Sequence, residues 1–327
     1  MSKMSIREAI NLALHEEMAR DDRVVVMGED VANRENGGVY GVTVGLADKF
    51  GDLRVIDTPI TESAIIGAAG GAALTGLRPV AELMFIDFLG VCLDQLMNQI
   101  AKFRYMFGGG ATTPVTIRTM IGAGAGTGPQ HSAILYPLLV AIPGIKVVVP
   151  SNAYDAKGLL AQAIRDDDPV VFCEHKAIYT EECEVPDESY TIPFGQARTV
   201  CEGSDVTVVA FSRMVLLTEQ AAANLAGEGL SVEVIDPRTL SPLDDEAILA
   251  SVRKTGRMVV VDEANPYCSM ASEVASIVVD KGFDYLDAPI KKVTAPHTPV
   301  PASPVLEVEY VPSVAEIEAA IREVAGY

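Results

Sequence analysis

Short apolar runs of about four residues recur along the chain, and stretches of helical spacing separate them. The apolar runs fall at residues 24–27, 54–56, 79–84, 115–118, 146–149 and 170–172, then at 206–210, 232–237 and 258–262, and 291–293 reads as a further short strand. Helices are expected between them at 5–21, 42–50, 63–77, 89–106, 134–141 and 155–165, then at 215–228, 244–255, 269–281 and 314–324. Strands this short and this apolar, alternating with helices, imply a parallel sheet covered on both faces. The polar stretch after residue 180, with Pro186 and Pro193, reads as a linker, and the pattern restarts beyond it. The expected organisation is an α/β domain over 1–180, a linker over 181–198 and a second α/β domain over 199–327.

Composition narrows the class. A chain of 327 residues suggests two domains with substantial cores, and 49% hydrophobic against 21% charged residues marks a globular protein. A formal net charge of −20 argues against nucleic acid and anionic membranes as partners. The first twenty residues read as an amphipathic helix with charges throughout, and the longest near-apolar run, 64–77, is too short and too rich in Gly to span a bilayer. The five cysteines, Cys92, Cys173, Cys183, Cys201 and Cys268, are scattered with no Cys-x-x-Cys pair, which points to reduced, mostly buried thiols and a cytoplasmic location.

Glu62, in Asp57-Thr58-Pro59-Ile60-Thr61-Glu62-Ser63, is the leading candidate for chemistry. It follows a strand and a proline turn and opens a helix of small apolar residues. A carboxyl in that position is hard to solvate, and a desolvated carboxyl can share a proton with a ring nitrogen. Taken alone, the residue also reads as an ordinary first-turn acid facing the helix dipole. The Gly-rich stretch 122–128 suits close backbone approach to a ligand but lacks dinucleotide spacing, and no Walker A sequence occurs. His131 follows that stretch directly and is a candidate proton donor or acceptor, or else a surface or capping histidine. His15, His175 and His297 read as structural. The aromatics Phe85 and Phe88 close the strand that begins at residue 79 and suit either core packing or stacking on a heteroaromatic ring. The acidic turn Asp166-Asp167-Asp168 is solvated or holds a cation. Zinc spacings and a Gly-x-Ser-x-Gly elbow are both missing.

Taken together, Met27-Gly28-Glu29-Asp30, the segment 57–62, Gly76-Leu77-Arg78-Pro79-Val80, Gln130-His131-Ser132, the run 154–160 and the run 234–244 closely resemble one family over essentially the whole chain. This is the family of β subunits of the thiamine-diphosphate-dependent first component of 2-oxo acid dehydrogenase complexes. The resemblance implies a transketolase-type pyrimidine-binding domain followed by a transketolase C-terminal-like domain. It implies that Glu62 meets N1′ of the cofactor's aminopyrimidine, with Phe88 against the ring, Ile60 and Met84 nearby, and Glu29 in an acidic network behind. His131 would face the substrate. A potassium site would fall on Val115, Ala163, Ile164, Asp166 and Asp168, mostly through carbonyls.

The Gly-Asp-Gly motif for diphosphate and magnesium is absent here. The resemblance therefore implies an α subunit carrying that half of the site in an α2β2 tetramer, and a lipoyl acyltransferase docked on the second domain. Within the family, the segments 82–88, 102–109 and 172–176 are most similar to acetoin-cleaving members, which release acetaldehyde and pass a two-carbon unit to lipoamide. Pyruvate or other 2-oxo acid dehydrogenases come next. Ala133 and Ala141 depart from common family residues near the substrate loop and motivate a further alternative, a non-catalytic structural subunit. An unrelated nucleotide-binding module is disfavoured by the missing phosphate motifs.

Overall fold

The computed structural model describes all residues, 1–327. The chain forms two compact units, Met1–Ile121 with Leu138–Phe194, and Gly122–Pro137 with Gly195–Tyr327. Residues 122–137, placed by the sequence inside the first domain, thus group with the second unit.

The first unit runs β1 (Ser2–Ser5), α1 (Ile6–Arg20), β2 (Val24–Gly28), α2 (Leu46–Phe50), β3 (Val55–Asp57), α3 (Glu62–Leu74), β4 (Arg78–Phe85), α4 (Leu89–Asp94), α5 (Phe103–Met106) and β5 (Thr116–Ile121). It continues with α6 (Tyr136–Val140), whose first two residues group with the second unit, then β6 (Lys146–Val148), α7 (Ala153–Arg165), β7 (Val170–His175) and β8 (Glu182–Val185). Six strands lie in the order β6-β7-β5-β4-β2-β3, and every neighbouring pair is parallel. β2, β5 and β7 are buried along their whole length, as a sheet covered on both faces requires.

Helix α1 starts with a capping box. Ser5 Oγ accepts the Glu8 N–H, and the Glu8 carboxylate accepts the Ser5 N–H at 2.8 Å. Helix α1 packs on α7, where the half-buried Arg165 reaches the buried Glu17, Nη2 donating to Oε1 at 2.5 Å. Lys157 on α7 is also buried; its ammonium meets Glu16 at 3.0 Å and donates to the carbonyls of Pro186 and Glu188 at 2.9 and 3.0 Å.

Next to it, Gly158 lets residues 190–192 lie against the helix. A Cβ there would sit 2.6 Å from Tyr190 Cε2 and 2.7 Å from Ile192 Cγ1. Gly158→Ala is expected to destabilise the protein by roughly 1–3 kcal/mol, because overpacking outweighs the helix propensity of Ala. Urea unfolding checks this: the midpoint falls at an unchanged m-value, whereas an unmoved midpoint would mean that 190–192 yields freely.

Several elements differ from expectation. The helix over 89–106 is broken into α4, a π-helical stretch Gln95–Ile100 and α5. The wider turn of the π stretch sets Ile100 against α3, where a Cβ on Gly70 would lie 2.8 Å from Ile100 Cγ1. The helix over 42–50 is reduced to α2, because left-handed Gly41 and Gly45 (φ 76° and 77°) break the preceding turn. β1 was missed, and it pairs antiparallel with β8 at the start of the stretch read as linker.

The second unit contains β9 (Arg198–Cys201), β10 (Val206–Ala210), α8 (Arg213–Ala226), β11 (Val232–Asp236), β12 (Thr239–Ser241), α9 (Asp245–Thr255), β13 (Met258–Asp262), α10 (Met270–Gly282), β14 (Lys291–Thr294), α11 (Pro304–Tyr310) and α12 (Val314–Ala325). Five strands lie in the order β14-β13-β10-β11-β9, and only β9 runs antiparallel to its neighbour. Val208, Val234 and Val259 of this sheet pack with Met214 and Leu225 of α8 and Ile317 and Ile321 of α12. Helix α11 was not foreseen, because its sequence lies at the end of a Pro-rich stretch. Pro304 at its first turn fits the helix start, where an N–H is dispensable.

Candidate functional site

In the first unit, Glu62 opens α3 at the carboxyl end of β3, where the sequence places it. The turn before it is fixed from two sides. Asp57 Oδ1 accepts the Ala32 N–H at 2.6 Å, and the Thr58 N–H donates to Gly28 O at 2.9 Å. The N-cap residue Thr61 makes no side-chain cap, so Glu62 supplies the negative charge at this helix start. It is only 9% exposed. Ser63 Oγ donates to Val91 O at 2.6 Å and ties the start of α3 to α4.

Two neighbours register the Glu62 charge. Burial, and then the carboxylates of Glu62, Asp30 and Glu82, push Glu29 above the usual carboxylate range, so Glu29 keeps its proton to a higher pH. On α4, burial first and Glu62 second push the Cys92 thiol up to about 12, which makes it unreactive. Burial first and the Glu174 charge second take Cys173 out of thiol chemistry in the same way. Of the five cysteines, Cys92 and Cys173 are buried, Cys183 and Cys201 are half-buried and Cys268 is exposed, fewer buried than the sequence suggested.

Phe88 and Met84 are half-buried at the end of β4, and Phe88 meets Phe85 edge-on at 6.1 Å. Ile60 is 81% exposed and Val91 56%, so apolar surface stands open on the same α3–α4 edge as Glu62. Met84 also lines a cleft walled by Gly37, Gly38 and Tyr40 and floored by Glu82, Arg118 and Glu174. Gly28 allows β2 to cross here, since a Cβ would lie 2.9 Å from Glu82 Cβ.

The cleft floor is a network that sequence reasoning missed. Arg118 on β5 forks onto Glu174 of β7, with Nε to Oε1 at 2.7 Å and Nη2 to Oε2 at 2.8 Å, while Nη1 donates to Glu82 of β4 at 2.7 Å. Tyr179 OH donates to Glu174 Oε2 at 2.6 Å. All four residues are buried. Desolvation works against the Arg118 charge, but the two flanking carboxylates outweigh it and hold the guanidinium firmly protonated. Burial pushes Tyr179 and Glu82 up. The signal was present in the sequence, as single charged residues interrupting the otherwise apolar strands 79–84, 115–118 and 170–175.

The positions expected to hold potassium gather where α7 turns into β7. Their oxygens already meet the chain's own cations. Arg78 Nη1 donates to Ile164 O and Asp166 O at 3.1 and 2.9 Å, Lys146 Nζ to Asp166 Oδ1 at 2.7 Å, and Arg104 Nη1 to Asp168 Oδ1 at 2.5 Å. The Val115 carbonyl accepts from Val170 N, and the Ala163 carbonyl from Asp166 N. No group of three or more His, Cys, Asp or Glu side chains is arranged to hold a metal ion.

His131 lies in the 122–137 segment and so belongs to the second unit. It is half-exposed, its N–H donates to Gly128 O at 3.3 Å, and its carbonyl accepts from Thr127 Oγ1 at 3.1 Å. The other histidines have structural settings. His15 approaches Val44 O at 3.3 Å, buried His175 accepts the Ala177 N–H through Nδ1, and His297 packs edge-on against Tyr267.

Residues 2–181 match the family described as transketolase, pyrimidine binding domain, and residues 195–317 match the transketolase C-terminal domain. The chain is 56% identical over 329 residues to the acetoin:2,6-dichlorophenolindophenol oxidoreductase subunit beta of Cupriavidus necator, covering 98% of this chain and 97% of that one. It is 45% identical to the pyruvate dehydrogenase E1 component subunit beta of Rickettsia felis, with 99% of each chain covered. A solved structure described as a split gene transketolase, inactive beta4 tetramer, superposes with a TM-score of 0.82 at 24% identity over 99% of both chains, and so shares the fold. The chain belongs to the transketolase-like β subunits of thiamine-diphosphate-dependent first components of 2-oxo acid and acetoin dehydrogenases.

Proposed function

We propose that this chain is the β subunit of an acetoin dehydrogenase, active only with an α subunit. The observation that carries this is the 56% identity to an acetoin oxidoreductase β subunit over nearly the full length, against 45% to a pyruvate dehydrogenase β subunit. The residues present fit the pyrimidine half of thiamine diphosphate. Glu62 is a buried carboxyl at the start of α3, Phe88 and Met84 are half-buried at the end of β4, and Ile60 is exposed.

When bound, the cofactor supplies a nucleophilic thiazolium carbon that adds to the substrate carbonyl and stores the electrons of the broken carbon–carbon bond. Glu62 holds the proton at N1′ of the pyrimidine. Phe88, Met84 and Ile60 orient the ring, and Glu29, which keeps its proton more tightly than an ordinary carboxyl, lies in the acidic network behind Glu62. His131 moves a proton at the substrate oxygen.

The missing Gly-Asp-Gly motif leaves magnesium and the diphosphate to the α subunit, in an α2β2 tetramer. The carbonyls at the α7–β7 turn each retain a second lone pair for potassium. The second unit docks the lipoyl acyltransferase, and the assembly is cytoplasmic; no helix is long and apolar enough to cross a membrane.

Co-expression with the α subunit, with thiamine diphosphate and magnesium, tests the proposal by dye-coupled oxidation. Turnover of acetoin is expected to exceed that of pyruvate by at least about tenfold in kcat/KM, the scale that one misfitting group imposes in a tuned pocket. Preference for pyruvate would reassign the subunit, and activity with neither substrate would favour a structural partner.

A further inference from the structure

Helix α11 is built the wrong way round for a core helix. Val305, Leu306 and Val308 are 75%, 57% and 73% exposed, while Glu307 is buried at 4%. The buried carboxylate is spent entirely on the glycine-rich segment of the same unit. Glu307 Oε1 accepts the Gly124 N–H at 2.7 Å, and Oε2 accepts the Gly126 N–H at 2.9 Å. A second buried acid, Glu263, accepts the Ala123 N–H at 2.7 Å, and Arg213 Nη1 donates to Ala123 O at 3.2 Å.

Gly122, Gly124, Gly126 and Gly128 all have positive φ, so the free segment would sample many conformations. Charge-assisted bonds to two amides from one rigid carboxylate select one of them. The selection is handed on directly. Thr127, the residue after Gly126, bonds the His131 carbonyl at 3.1 Å and Ser132 Oγ at 2.8 Å.

We propose that Glu307 is a positioning residue for His131, acting through the Gly124–Thr127 backbone. The inference rests on His131 being the substrate-facing proton-transfer group. A misplacement on the order of 1 Å costs up to about 100-fold in rate, so loosening this segment is a kinetic event before it is a stability event. Glu307→Gln keeps the shape of the side chain but sets an NH2 group against one of the two amides.

The test uses the α/β enzyme loaded with thiamine diphosphate, acetoin as substrate, and the variants Glu307→Gln, His131→Ala and the double variant. With Glu307→Gln, kcat/KM per cofactor-loaded site falls about tenfold or more, thiamine diphosphate affinity stays within about twofold, and amide exchange over 122–131 accelerates. The double variant is no worse than His131→Ala alone, within about twofold, as expected of groups acting in series. Thr127→Val, which leaves Glu307 untouched, gives the same kinetic pattern and serves if Glu307→Gln fails to assemble.

Undiminished kcat/KM in Glu307→Gln while His131→Ala is impaired overturns the inference alone, as does a double variant whose losses multiply. Undiminished kcat/KM in His131→Ala overturns the assignment of His131, and this inference with it. A purely structural Glu307 would lower the melting temperature and leave the kinetics of the assembled enzyme unchanged.

Discussion

Glu62→Gln is expected to lower turnover of the assembled enzyme by about 10³-fold, within the range that a positioned proton-transfer group contributes. The amide keeps the size of the carboxyl but cannot take or release the proton at N1′. The fold should be unaffected. Glu62 opens α3 beside another acid, Glu29, so neutralising it removes repulsion as well as a helix-dipole contact. The two effects are small and opposed. The variant should therefore show wild-type circular dichroism, assembly and melting behaviour with almost no dye reduction. Turnover within about tenfold of wild type would remove Glu62 from the chemistry and leave it as an ordinary first-turn acid.

Arg118→Met is expected to have the largest effect on stability. The guanidinium is shared between Glu174 and Glu82, all three side chains are buried, and the methionine leaves two carboxylates without a counter-charge. Breaking such a buried group costs about 3–5 kcal/mol, which is roughly 10 °C in melting temperature for a unit of this size. The pH dependence gives a second check. Burial already raises the folded-state pKa of Glu82 against the pull of Arg118, and without Arg118 it rises further. Its protonated form then favours the fold, so stability should be highest below the ordinary glutamate range and fall as pH rises through the raised folded value. In the wild type, Arg118 opposes that rise, so the slope is smaller. A melting temperature that is unchanged, or that climbs with pH in the variant, would show that water reaches the network.

The sheet strands and most helices were legible because strands of four apolar residues between amphipathic helices have few alternative readings. Glu62 was legible for a local reason, since its strand–turn–helix setting is contiguous in the sequence. The Arg118 group was not, because its members come from three strands and the loop carrying Tyr179, and only register brings Glu82 opposite Arg118. No single one of these charges carries a local pattern that points to the others. Strands β1 and β9 were missed because each of them carries too few apolar positions to show a period. Glu307 was hidden by the Pro-rich stretch before it, where helical periodicity is too brief to register.

The second unit is discontinuous, and that restricts how such a subunit can be inherited in pieces. A fragment cut at residue 195 would keep Glu263, Glu307 and Asp262 but lose the backbone amides of 123–126 and the Tyr136 hydroxyl that satisfy them. Three buried acids would then be left short of partners in one stroke. Recombination at a single point in the stretch 181–198 therefore exchanges one C-terminal half for another most readily when the recipient's 122–137 keeps the same backbone path and a hydroxyl at Tyr136. The segment that carries His131 and the half of the gene that braces it are thus best inherited together, as a matched pair.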